Sequence, residues 1–231
     1  MNTLLIGQLP VEKWVSDGVD WITQHLSGLF NVIQSAGNTI MTAMTDGLLA
    51  IPMFLMIAGI FLIAGLTSPR RWGFPIFTLA GLLLIANQGL WQDLMNTMTL
   101  VIMSALISLI IGVPLGIAMA KSDRTQAIVQ PILDFMQTMP GFVYLIPAVA
   151  FFGIGVVPGV FASIIFALPP VVRMTNLGIR QVPVDLVEAA DSFGSTSWQK
   201  LLKLELPNAK NTILAGANQT IMLALSMVVT A

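Results

Sequence analysis

The chain has 231 residues, 56% of them hydrophobic and only 9% charged, where a soluble domain carries roughly 25% charged residues. That balance excludes a soluble globular protein and marks an integral membrane protein with several spans. The formal net charge of −1 hides an asymmetry in where the basic residues lie, nothing in the sequence suggests nucleic-acid binding, and the lack of any cysteine excludes disulfides and cysteine-based metal sites.

In chain order, Met1–Pro10 has no basic stretch ahead of its apolar residues, unlike a secretory signal. Position 2 is Asn rather than Gly, so no myristoylation signal is present. From Val11 to about Gln34, residues Val11, Trp14, Val15, Val19, Ile22, Leu26, Leu29 and Ile33 recur at helical spacing, with Glu12, Lys13, Asp17, Asp20 and Gln24 between them. Such an amphipathic helix suits the membrane surface, with Trp14 and Trp21 at headgroup level. A helix packed on another subunit would show the same pattern. Asn31–Asp46 reads as a weaker amphipathic stretch or a linker. Residues 1–47 are thus expected to form an N-terminal interfacial region, followed by a transmembrane domain over 48–231.

Five or six spans are expected: Leu48–Leu66, Phe74 to about Leu90, Asn96–Ala120, Pro131 to about Gly153, about Pro158 to Val172, and Thr212–Ala231. Each approaches the ~20 residues needed for the hydrocarbon core. Trp72 and Trp91 flank the second as interface anchors. The fourth and fifth are rich in Pro and Gly (Pro140, Gly141, Pro147, Gly153, Gly155, Pro158, Pro169 and Pro170). Broken helices are tolerated where they line a cavity or are buried in protein, so a pathway or kinked packing helices would both fit. Met139, Phe142 and Tyr144 are candidates for a pathway or gate, with core packing as the alternative. Gly112/Gly116 and Gly155/Gly159 each form a G-x-x-x-G pair that permits close helix contact. Asp134 lies about three residues into its span; an acid there is a functional candidate, and its place near the span's end favours a helix-end or gate-support role over substrate coordination. His25, the sole histidine, falls on the polar side of the first helix and lacks metal-binding companions.

Alternating the spans places Arg70, Arg71, Lys121, Arg124, Arg173, Arg180, Lys200, Lys203 and Lys210 on one side, with Lys13 opposite. By the positive-inside rule that side is cytoplasmic. The N-terminal helix and Ala231 then fall outside. The apolar run at the end of the sequence leads us to expect a continuation past 231, as a further span or a fused substrate-binding domain.

The cytoplasmic side carries one polar island, Val182–Pro207. Pro183 suits a helix start. Leu186, Val187, Ala190 and Phe193 form a short apolar stripe, and Gly194 stands where a left-handed C-cap falls. Thr196 and Gln199 make a T-x-x-Q capping box that opens a second helix, whose apolar pattern runs through Trp198, Leu201, Leu202 and Leu206 until Pro207 interrupts it. Ala189 and Ala190 keep the first helix slim, so a partner could approach its backbone, while Asp185, Glu188 and Asp191 would orient the contact. A plain linker between two spans would share these features.

Glu188-Ala189-Ala190, three residues, Gly194, nine residues, then Leu204-Glu205-Leu206-Pro207 resembles the EAA loop of bacterial ABC importer permeases. That pattern is E-A-A, three residues, G, nine residues, I-x-L-P; Leu204 replaces the Ile. LPPVVRMTNLGIRQVP, VEAADSFGSTSWQKLLKLELP and GANQTIMLALSMVV resemble the permeases of glycine betaine/proline betaine importers, over roughly Met95–Ala231. The resemblance implies an all-α polytopic helical bundle of the type I ABC importer permease fold. It also implies that Glu188, Ala189, Ala190, Asp191, Phe193, Gly194, Leu206 and Pro207 couple the chain to an ATPase. The implied partners are two ABC-type ATP-binding subunits that hold ATP and Mg, a second copy of the chain, and an extracytoplasmic substrate-binding domain, fused or separate. The chain itself would be a non-catalytic subunit in a bacterial cytoplasmic membrane, holding no cofactor; it carries no G-x-x-x-x-G-K-[ST] loop. The implied cargo is a quaternary ammonium compatible solute. A cage of aromatic rings for such a cation is expected elsewhere, because the chain has one Tyr and its five Trp lie mostly at interfaces. The competing reading is a secondary carrier or osmotically gated channel without an ATPase. A carrier of that kind usually has acids at the bilayer midplane, and none falls in the middle of an expected span.

Overall fold

The computed structural model describes residues 11–68 and 72–229. The expectations placed on Met1–Pro10, Arg70, Arg71 and Ala231 lie outside the described residues, as do the side chains of Val11, Glu12 and Val15. The described residues are helical, with no strand among them.

Helix α1 (Val11–His25) is amphipathic, and Trp14 and Trp21 are exposed. His25 stacks on Trp21 with ring centroids 4.5 Å apart. The expected single helix to Gln34 breaks at Leu26, and α2 (Ser27–Leu49) runs on unbroken through the stretch read as a weaker amphipathic segment or a linker, which fits the first of these. Tertiary contacts account for that continuity. Gln34 Nε2 donates to the Phe152 carbonyl at 2.6 Å, and Thr45 Oγ1 donates to Thr99 Oγ1 at 3.0 Å. The boundary expected at 47/48 therefore falls inside a helix that is stitched to the rest of the chain.

The expected spans are not all present as single long helices. By length and composition two helices can cross a membrane, α5 (Trp91–Lys121) and α8 (Val156–Arg180), or up to four if each of two bent pairs counts as one span. The first bent pair is α2 with α3 (Met53–Thr67), at 86°; Pro52 sits at the break as the N-cap of α3. Helix α4 (Gly73–Asn87) has 15 residues, a rise of about 22 Å against a core of ~30 Å. The apolar runs were long enough for spans, but Pro52 and the turn after Asn87 cut them short. The second bent pair is α6 (Asp123–Thr138) and the segment Gly141–Phe152, at 108°. That segment is a 3-10 turn (Gly141–Tyr144) followed by α7 (Leu145–Phe152). The broken helix expected here is present and begins earlier than expected, at the Ser122 cap, whose Oγ accepts from Thr125 N at 3.2 Å. The fifth span is corrected in the other direction: α8 passes through Pro169 and Pro170 without a break.

The core is the stack of α5, α8 and α11 (Leu206–Val228). Lipid tails give helices no hydrophobic reason to associate, so close packing of small residues must do it. A methyl group on Gly116 would stand 2.5 Å from Thr175 Cβ and 2.7 Å from the Val172 carbonyl, and Gly112 closes equally tightly on Val171. Gly178 meets Ala209 and Thr212, and Gly216 meets Met174. Thr220 Oγ1 donates to the buried Ala167 carbonyl at 2.9 Å, tying α11 to α8.

Candidate functional site

Between α8 and α11 lies the polar island. Helix α9 (Val184–Ser192) starts one residue later than expected, with Pro183 as its N-cap. Its end is a Schellman turn: Ser195 N donates to the Ala190 carbonyl at 3.0 Å and Gly194 N to the Asp191 carbonyl at 2.9 Å. This turn needs a left-handed residue, and Gly194 supplies it at φ 75°. Thr196 and Gln199 then close both halves of a capping box. Thr196 N donates to Gln199 Oε1 at 2.9 Å, and Gln199 N to Thr196 Oγ1 at 3.3 Å.

The short α10 (Ser197–Lys200) continues directly into a π turn, Leu201–Glu205, and then into α11. Pro207 was expected to interrupt the helix; it sits instead in the first turn of α11, just after the widened turn. Proline brings no N–H to the helical ladder. The wide turn and a side-chain donor accommodate the loss: Leu206 N donates to the Leu201 carbonyl, and Asn208 Nδ2 donates to the Leu204 carbonyl at 2.6 Å.

The two halves of the island differ in burial. No residue of α9 is buried. Phe193 is 90% exposed, Val184 and Trp198 are 66% exposed, and Leu186 is exposed as well. Leu201, in contrast, packs with Ile179 and Ala209 in the core. Glu188, Ala189 and Gly194 lie exposed and Ala190 is partly covered. Asp191 does not face outward alone: Lys200 Nζ lies 2.6 Å from its Oδ1, which straps α9 to α10. Leu206 is half-buried and Pro207 exposed. The arrangement is a slim, apolar-faced helix held on a rigid base, which can receive a partner surface.

Residues Met139, Phe142 and Tyr144 fall at the α6–α7 bend. Met139 is extended at the end of α6. Phe142 is exposed and lines an apolar cleft with Leu145, Ile146 and Val149. Tyr144 braces the bend, donating to the Met136 carbonyl at 2.6 Å while packing beside Ala148, Ala162 and Met227. Asp134 is held by Arg173 Nη2 at 2.5 Å and by Gln130 Nε2 at 3.1 Å. The Arg173 contact joins α6 to α8, while the Gln130 bond stays within α6.

Sequence reasoning missed one feature at the base of the island. Glu205 is buried, and Lys121 Nζ approaches its Oε1 at 2.7 Å and its Oε2 at 2.5 Å, with hydrogen-bond geometry to Oε1. Lys121 had counted only towards topology, and Glu205 occupies the variable place in the L-x-L-P block. No local signal links positions 84 residues apart.

Residues 112–231 match the family described as the binding-protein-dependent transport system inner membrane component. The chain belongs to that family. The match takes in both G-x-x-x-G glycines of α5, all of α8 and the whole polar island. Relatives extend the likeness over almost all of this chain, further towards the N-terminus than the segments read from sequence. The glycine betaine/carnitine transport permease protein GbuB of Listeria monocytogenes is 57% identical over 230 residues, 98% of this chain and 80% of the relative. The glycine betaine transport system permease protein OpuAB of Bacillus subtilis is 50% identical over 224 residues, 97% and 79% of the two chains. The glycine betaine/proline betaine transport system permease protein ProW of Escherichia coli is 47% identical over 223 residues, 96% and 62%. The permease fold and its membrane residence follow from the family and from the span-length helices.

Proposed function

We propose that this chain is the membrane subunit of an ATP-driven importer for glycine betaine or a related quaternary ammonium osmoprotectant. Two ATP-binding subunits dock on α9 from the cytoplasm, and two copies of the chain enclose the pathway. A substrate-binding domain, fused or separate, delivers cargo from outside. ATP and Mg belong to the partner subunits; this chain forms no covalent bond to the substrate. Helix α1 lies on the outer membrane surface. The observation that carries the reading is the exposed apolar face of α9, ending at a Phe193 that is 90% exposed, inside the E-A-A, G, L-x-L-P spacing.

Closure of the ATP-binding subunits moves α9. The capping box and the Asp191–Lys200 strap make α9, α10 and the π turn one stiff unit, so the motion reaches α11 and the core helices and alternates access. The Glu188 side chain has no ion-pair partner among the described residues, which leaves it free to orient the partner.

The test is uptake and ATP hydrolysis by the complete complex in vesicles, comparing wild type with Glu188→Lys and Ala190→Trp. ATPase association or substrate-stimulated hydrolysis falls in both variants while the membrane fold survives. Unchanged uptake that needs no ATPase partner would overturn the proposal.

A further inference from the structure

The Lys121–Glu205 pair lies where the docking segment meets the core. Glu205 is only 5% exposed, and an ionised carboxylate is costly to bury unless it is paired. Its partner Lys121 closes the last turn of α5, where the helix dipole also favours a cation. The carboxylate belongs to the π turn, an element frequent at functional sites because it departs from the regular ladder. The same turn follows directly on α10, which Lys200 ties to Asp191 on α9.

An unbroken mechanical route therefore runs from the docking face to α5: α9, the Asp191–Lys200 strap, α10, the π turn, Glu205, Lys121. A parallel latch closes the neighbouring ends. Arg180 at the end of α8 donates to the Met119 carbonyl at 3.0 Å and to Asp123 Oδ1 at 2.6 Å. Arg180 thus ties the end of α8 to the end of α5 and the start of α6 beside the Lys121–Glu205 pair. The L-x-L-P spacing does not specify the residue at position 205, so this tie is a feature of the charge pair and not of the motif.

We propose that Glu205 and Lys121 are positioning residues for the transport cycle: their buried ion pair transmits displacement of the docking segment to α5. This rests on the reading of α9 as the ATPase-docking helix. A physical route of contacts is not by itself coupling, so the test reads coupling directly.

The complete complex, with its ATP-binding subunits and substrate-binding domain, is reconstituted in vesicles, and glycine betaine uptake per ATP hydrolysed is measured. The variants are Glu205→Gln, Lys121→Met, the two combined, and Lys121→Arg. In Glu205→Gln and Lys121→Met the ATP-binding subunits are expected to stay bound and hydrolyse ATP, while uptake per ATP falls by about fivefold or more, the lower range of allosteric couplings. The combined variant is no worse than either single one, as for two residues acting through one interaction. Lys121→Arg, which keeps the charge, retains the wild-type ratio. A merely structural pair would lower uptake and hydrolysis in proportion and leave their ratio unchanged, and that result overturns the proposal. So do additive losses in the combined variant, or loss of ATPase association in Glu205→Gln. Phe193→Asp, run alongside, reports on docking alone: retention of the ATP-binding subunits in that variant would sink the docking reading, independently of the ratio measured for Glu205→Gln.

Discussion

Helices α8 and α9 are separated by only three residues, Gln181–Pro183, yet they follow opposite rules. Helix α8 is 25 residues long and has 15 buried positions, among them Ser163, Thr175 and Asn176. Helix α9 is nine residues long with no buried position, and its apolar side chains face out. In α8 the small and polar residues are internal because helix–helix contact is made by close approach. In α9 the apolar residues are external, as the proposed docking on an ATP-binding subunit requires. The difference separates two kinds of dependence: the fold rests on α8 and its neighbours, while the coupling proposed above would rest on α9 and its base.

Substitutions can break that comparison on either side. Gly116→Val puts a side chain into Thr175 and the Val172 carbonyl. We expect a loss of about 3 kcal/mol, read as poor yield and a lowered melting temperature in detergent; normal stability would show that α5 and α8 are not packed as described. Phe193→Asp should weaken ATPase association by about 2 kcal/mol or more, as for an anchor residue. It should change melting by less than about 0.5 kcal/mol, as at an exposed position. A large melting change with intact association would reverse the assignment of α9. Thr196→Ala removes one half of the capping box and should cost about 1 kcal/mol, seen as faster amide exchange over α10 with the core unaffected. Asp134→Asn weakens a pair that is largely exposed, with Arg173 33% and Asp134 56% accessible; it should cost less than about 1 kcal/mol. A larger loss of transport than of stability there would give Asp134 a role in the pathway.

How far the sequence foretold this depends on how local each signal was. The turn after α9 was legible because Gly194, Thr196 and Gln199 act on backbone groups within five residues. The bend at Met139–Tyr144 was legible from Pro140 and Gly141. The continuity of α2 was not: its apolar pattern is weak, and it is held by Gln34 and Thr45, which bond to residues 118 and 54 positions away. Hydropathy alone did not register that Pro52 starts a new helix at 86° to the last, nor that α4 ends after 15 residues. Pro169 and Pro170 misled in the other direction, since neighbours such as Thr220 support the backbone around them. The π turn and the Lys121–Glu205 pair had no sequence signature. The pair arises only when the end of α5 is brought against the start of α11.

The most direct test of the account uses the fact that the chain has no cysteine. Phe193→Cys introduces a thiol at a position of the docking segment that is 90% exposed. Its labelling by a membrane-impermeant maleimide is measured in inside-out vesicles, with the ATP-binding subunits present and after they are stripped away. Rapid labelling in stripped vesicles and protection when the subunits are restored is the predicted result. Equal labelling in both, or no labelling from the cytoplasmic side, would contradict the assignment of α9 as the cytoplasmic docking helix.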